Sequence, residues 1–331
     1  MKRIIFAICT LLCANVLWAQ EQLAVLRHND STSVFYGQTA FVQAYNAATH
    51  GDIITLSAGT FQVPRTSSGN PVSIRKGITV RGNGAVADTA RKSFGTYFME
   101  YFHVSGLGDS LQFSAEGIYF DYLDVASVYD VNLTRCYMNR FSQSGGVQAT
   151  NCIIIGENHG TSYRNDRYIN CVLIGYTSSY VPYYATCNNC IILGKGDDNL
   201  GGAQGQFQYN NCIIMKSSTS NDTILYGIIN NSVLIGFTGV SHSAASGNVA
   251  MSLSDVFENW GGASFTDLEK YVLKSSVSDS IQGIDGTEVG IFGGFMPFDW
   301  RPSYDIIKRF NVANRTTADG KLSVDIEVIS E

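Results

Sequence analysis

The sequence predicts an all-β chain folded as a right-handed parallel β-helix, a solenoid with a short N-terminal capping helix and a C-terminal β-hairpin tail. Three observations carry this expectation. An Asn-Cys frame recurs about every 20 residues through the middle of the chain. Charged residues make up only 15% of the 331 residues, against 12% aromatic residues and 33 glycines, a mixture that suits many short strands joined by many turns. No helical apolar period runs through the recurring unit, which excludes a helical repeat.

The frame is clearest in Asn151-Cys152-Ile153-Ile154-Ile155-Gly156, Asn170-Cys171-Val172-Leu173-Ile174-Gly175, Asn189-Cys190-Ile191-Ile192-Leu193-Gly194 and Asn211-Cys212-Ile213-Ile214-Met215. Asn231-Ser232-Val233-Leu234-Ile235-Gly236 continues it with Ser for Cys, while Arg135-Cys136-Tyr137-Met138 and Glu116-Gly117-Ile118-Tyr119-Phe120 extend it backwards. From position 117 the intervals are 19, 16, 19, 19, 22 and 20 residues. A unit this small cannot bury its apolar face alone, so neighbouring units must stack. Stacking places equivalent residues about 4.8 Å apart and turns each frame position into a ladder along the axis. The cysteines are expected inside as a reduced stack of small hydrophobes, because parallel neighbours sit too far apart for the disulfide Cβ spacing of about 3.8 Å. Cys187-Asn188-Asn189-Cys190 is the exception that could close locally. The asparagines are expected at left-handed turns, bonded to their copies above and below.

Residues 1–19 read as a signal peptide. Lys2 and Arg3 precede an apolar run from Ile4 to Ala14 that is too short to span a bilayer, and Ala19 offers a small residue for cleavage. The mature chain is then expected to be exported, to the periplasm, the cell surface or the medium, with no membrane span. Residues 20–250 are expected to form the parallel β-helix with its N-terminal cap, and 251–331 a closing segment and β-hairpin. Removing Lys2 and Arg3 takes the 22 basic residues to 20 against 28 acidic ones, a net charge of −8. No basic stripe is therefore available for nucleic acid or an anionic membrane.

Gln38 to Ala48 reads as an amphipathic helix with Phe41, Ala44, Tyr45 and Ala48 on one side, a lid for a first coil whose unpaired edge needs cover. It is followed by Gly51-Asp52-Ile53-Ile54-Thr55-Leu56-Ser57-Ala58-Gly59-Thr60-Phe61, and later by Ile78-Thr79-Val80-Arg81-Gly82-Asn83-Gly84. This order resembles the entry cap and next coil of the pectate-lyase-like β-helix superfamily. Phe265 to Ser276 and Gly283 to Gly294 resemble the closing segment of exported β-helix proteins, with Ser276-Val277 where that segment usually has Ser-Pro. The resemblance spans roughly residues 38–294 and implies a fold. It implies no single activity, since the superfamily carries lyases, hydrolases, isomerases and non-catalytic adhesins on one scaffold. Alternation at Leu322, Val324, Ile326 and Val328, the Asp319-Gly320 turn and a strand over Phe310 to Asn314 predict the tail hairpin.

Only eight carboxylates lie between Gly117 and Val240, thin for a Ca²⁺ site that wants several oxygens. A single Cys-x-x-Cys lacks the second pair of a structural zinc site. No metal or cofactor is therefore expected, and Ca²⁺ enters only under a lyase reading. Counted from each Cys, Glu157, Tyr176 and Lys195 fall five residues on, while His159, Ser178 and Asp197 fall seven on. These six should line one edge over three coils. In a lyase, Lys195 would be the base, Glu157 or Asp197 would neutralise a uronate through a cation, and Tyr176 or His159 would return the proton. The plain alternative is a solvated polar edge.

Tyr163, Arg164, Asp166 and Arg167 on one coil, with Tyr180, Tyr183 and Tyr184 on the next, set aromatic faces beside fixed polar groups, which suits sugar rings. Ordinary packing of loop aromatics is the alternative there. The expected partner is a polysaccharide or surface glycan, bound or displayed without catalysis. A polysaccharide lyase or glycosidase acting on an acidic polysaccharide, and a structural adhesin-like segment, are the alternatives.

Overall fold

The computed structural model describes residues 22–87, 95–108, 110–126, 130–143, 146–159, 165–176, 184–194, 208–216, 224–226, 228–237, 239–241, 245–262, 268–301, 306–312 and 324–329. The chain forms a parallel β-solenoid. Among the described residues, the strands of the solenoid alternate between two main sheets, one of 12 strands and one of 10. Register is kept from coil to coil: Ala149, Tyr168, Cys187, Tyr209 and Ile229 pair in line in the first sheet, and Ile154, Leu173, Ile192, Ile214 and Leu234 in the second.

The bend between the sheets explains the repeated frame. Arg135, Asn151, Asn170, Asn189, Asn211 and Asn231 all sit at φ between 46° and 57°, with Gly117 and Gly247 in the same place at 63° and 68°. Asn and Gly bear this left-handed backbone at least cost. The Cys that follows turns inward, the next residue outward and the one after inward. Thus Cys152 and Ile154 lie in the main core, and Ile153 in a second apolar cluster outside it. The six cysteines among the described residues are all free and buried, Cys187 and Cys190 included. Each frame thiol donates to the carbonyl two residues back, as Cys171 Sγ does to Ile169 O at 3.2 Å and Cys212 Sγ to Asn210 O at 3.2 Å. Ser232 makes the same bond to Asn230 O at 2.9 Å. Burial pushes the Cys152 and Cys190 thiols up, so both stay protonated.

The cap helix spans Ala40–Ala47 and buries Phe41, Ala44 and Tyr45. Ahead of it lies an antiparallel hairpin that the sequence reading missed, Leu23–His28 with Ser31–Tyr36, whose first strand also pairs antiparallel with Ile53–Leu56. The first parallel strand is thereby given a partner. Asp52 locks these parts together, accepting from Thr49 N at 2.7 Å and from His28 Nδ1 at 2.8 Å.

After the last strand of the second sheet, Val249–Met251, the chain folds back over the solenoid. Val256, Phe257, Tyr271, Val277, Val289 and Ile291 bury the outward side chains Ile153, Val172, Ile191, Ile213 and Val233. This cover accounts for the continuous apolar runs of the frame. Residues 282–297 then run back along the turn column. Asn231 Nδ2 donates to Gln282 O (3.0 Å), Asn189 Nδ2 to Glu288 O (3.3 Å), Asn170 Nδ2 to Ile291 O and Gly293 O (2.8 and 2.7 Å), and Asn151 Nδ2 to Pro297 O (3.3 Å). Glycine permits the approach: a Cβ on Gly290 would lie 2.8 Å from Ile213 Cδ1, and one on Gly293 2.9 Å from Asn189 Nδ2. In the tail, Ile306–Val312 pairs antiparallel with Val324–Ile329, so the first strand starts earlier than the alternation suggested.

Candidate functional site

The frame asparagines serve the closing strap more than one another; among the described residues, Asn211 Nδ2 to Asn189 Oδ1, at 3.4 Å, is the bond that links two of them. The self-bonded amide ladder lies one residue earlier, on the outer face of the first sheet. Asn210 Nδ2 donates to Asn188 Oδ1 at 2.9 Å, Asn230 Nδ2 to Asn210 Oδ1 at 3.0 Å, and Ser246 Oγ to Asn230 Oδ1 at 3.1 Å. The alternation of the strands sends Asn188 outward because Cys187 before it is inward. Beside this ladder runs a second outward column in which Gln148, Arg167, Thr186 and Gln208 pair in register.

Between the ladder and the strap lies a groove of about 510 Å³. One wall is Asn188, Asn210 and Asn230 with Arg167 and Gln208; the other is Ile284, Asp285, Phe295 and Met296. Phe295 is 98% exposed and Ile284 63% exposed. Asp285 is held in place by accepting from Thr287 N at 3.1 Å and Thr287 Oγ1 at 2.8 Å. An amide within the ladder spends one N–H and one lone pair on its neighbours and keeps one of each for a ligand. The groove thus offers paired donors and acceptors at coil spacing, an apolar lip and one charge of each sign.

Of the residues singled out from sequence, Arg167 is exposed and lines this groove. Its neighbour Asp166 is buried, and its carboxylate accepts from Val147 N at 2.9 Å, so it supports the preceding coil and faces away from solvent. Tyr184 opens the strand Tyr184–Asn188, opposite Asn165. Glu157 and His159 lie in the strand Ile153–His159 and Tyr176 in the adjacent strand Val172–Tyr176; the two strands pair in parallel through Ile155 and Ile174. The side chains of these four lie outside what the structure describes, as do Tyr163, Arg164, Ser178, Tyr180, Tyr183, Lys195 and Asp197 altogether.

Sequence reasoning missed Asn188, Asn210, Asn230 and Phe295, although the doublets Asn188-Asn189, Asn210-Asn211 and Asn230-Asn231 were a visible signal. It also missed a polar cluster on the outer face of the second sheet. Tyr101 donates to Asp124 Oδ2, and His103 Nε2 lies 3.6 Å from the same oxygen. Arg140 Nη2 and Asn139 Nδ2 donate to Asp121 at 2.6 and 3.0 Å. Burial and the Asp124 hydrogen bond push the Tyr101 phenol up, so it stays protonated. Burial alone would raise the Asp121 carboxyl, but the Arg140 and Asn139 bonds outweigh it and hold the group below its ordinary value.

Among the described residues no helix is long and apolar enough to cross a membrane, and no group of three or more His, Cys, Asp or Glu is placed to hold a metal. Searches of protein-family models, characterised proteins and solved structures find no match to this chain.

Proposed function

We propose that the chain is an exported, non-catalytic β-solenoid that binds or displays a glycan at the cell envelope. The observation that carries this reading is the groove, where the Asn188, Asn210 and Asn230 ladder faces the exposed Phe295 ring. Sugar hydroxyls each donate and accept, matching the spare amide groups, and the C–H face of a sugar packs on an aromatic ring. Asp285 is the single carboxylate lining the groove among the described residues. Glycoside hydrolysis in its usual form works with two, so the lining favours holding a sugar over cutting it. A broad glycan array read together with product analysis tests the proposal. Binding is expected without release of shorter or unsaturated sugars, and failure to bind any glycan would remove the reading.

Cleavage of an acidic polysaccharide is a second reading, favoured by the Asp121, Asp124, Tyr101 and His103 cluster. An imidazole beside a carboxylate is a usual pair for moving a proton, and His103 and Asp124 supply one. Release of product from a uronate polymer that disappears in Asp124→Asn would displace the first reading.

A further inference from the structure

We infer that the groove takes an internal stretch of an extended, unbranched, neutral glycan lying along the solenoid axis. This rests on the glycan reading and names the class and pose of the ligand. Orientation follows from where chemistry repeats. Along the axis, Asn188, Asn210 and Asn230 present the same amide at each coil, about 4.8 Å apart. Along a strand, side chains alternate between core and surface, and the strands here are short: Gln208–Asn210 and Ile228–Asn230 hold three residues each. A polymer laid along a strand would meet one such amide and run off the sheet. Laid along the axis, it meets a fresh donor and acceptor at every coil.

Length and charge narrow the class. The lining residues Arg167, Asn188, Asn210 and Asn230 come from four successive strands of the first sheet, a run of about 14 Å, the length of a few sugar rings. Arg167 and Asp285 put one positive and one negative charge on the lining, so a polyanion gains no net attraction and meets Asp285 as a like charge. Asn210 and Asn230, which bond on both sides within the ladder, each keep one donor and one acceptor, which fits hydroxyls better than carboxylates, since carboxylates only accept. Phe295, Met296 and Ile284 form an apolar lip along one side, suited to the C–H faces of successive rings. Among the described residues the groove is open above the ladder, so an internal stretch is the fitting occupant.

The probes are β-1,4-linked glucose oligomers of increasing length, with oligogalacturonides of matching length alongside, titrated by calorimetry against the full protein. Affinity for the neutral series is expected to climb with each added sugar and then level off once the groove is filled. Phe295→Ala changes a fully exposed side chain and should fold normally; it is expected to weaken the longest neutral oligomer about 2- to 12-fold. Binding confined to the acidic series, affinity independent of length, or indifference to Phe295→Ala would each overturn this inference while leaving a glycan partner in place. Silence from both series here and from the whole array would overturn both.

Discussion

At the scale of single residues, the recurring Asn does two jobs that the sequence shows unequally. Its backbone job is legible, because few residues other than Asn and Gly take a left-handed turn at low cost, and φ near 50° at Asn151, Asn170, Asn189, Asn211 and Asn231 meets that expectation. Its side-chain job is not legible, since the partners belong to residues 282–297, as far as 146 positions away for Asn151 and Pro297. An amide expected to bond to its own copies looks the same in sequence as one that bonds to a strap. The two jobs separate by substitution at Asn170, which is fully buried. Asn170→Gly keeps the backbone and strands the Ile291 and Gly293 carbonyls, at about 1 to 3 kcal/mol for each lost partner. Asn170→Ala does the same and adds the left-handed strain, about 1 kcal/mol more. Urea midpoints should therefore fall in the order wild type, Gly, Ala. Equal losses for the two variants would show that the backbone angle carries no weight there.

At the scale of elements, the cap was half legible. The amphipathic period of Gln38 to Ala48 marks the helix, but the preceding hairpin has no clean alternation, because Leu23 and Ala24 are consecutive and both buried. Only the Asn29-Asp30 turn, with Asn29 at φ 50°, hints at it. The two pieces meet at Asp52, which is 5% exposed. Burial works to raise its carboxyl, but the Thr49 amide and His28 hold it below the ordinary carboxylate range. A depressed folded-state value means that the contribution to stability is present above the unfolded value of about 3.9 and is lost as pH falls through the folded one. The cap should therefore loosen below about pH 4. Asp52→Asn should remove that acid step and, by weakening the His28 contact, cost about 1 to 3 kcal/mol. Hydrogen exchange at the amides of Ile53 to Leu56, followed from pH 6 to pH 3, checks both. Exchange whose pH profile is identical in Asp52→Asn would show that Asp52 is not the latch.

At the scale of the whole molecule, the solenoid was legible because its repeat is written five times over in Asn-Cys or Asn-Ser, whereas the groove was not, because one wall is the repeat and the other is a strap remote in sequence. The same strap makes the solenoid more than a row of neighbours. A bare stack of coils is held by nearest-neighbour contacts alone and can fray from its end. Here residues 282–297 bond to Asn231, Asn211, Asn189, Asn170 and Asn151 in turn, and Ile291 packs into the cluster with Ile191 and Ile213, so the last coils are tied back to the middle. The buried thiols report on that tie. Cys152, Cys171, Cys190 and Cys212 are fully buried, and burial pushes the Cys152 and Cys190 thiols up, so alkylation requires local opening. Ile291→Ala removes a buried side chain from the strap's contact, at about 2 to 5 kcal/mol. It should speed alkylation of Cys171, Cys190 and Cys212, which lie beneath the strap. Cys136 belongs to an earlier coil, one turn before the Asn151 bond to Pro297, and should stay slow. Mass spectrometry of timed alkylation in the native protein resolves the sites. Uniform acceleration at all of them would mean that the chain opens as one unit, and no acceleration anywhere would mean that the coils hold without the strap.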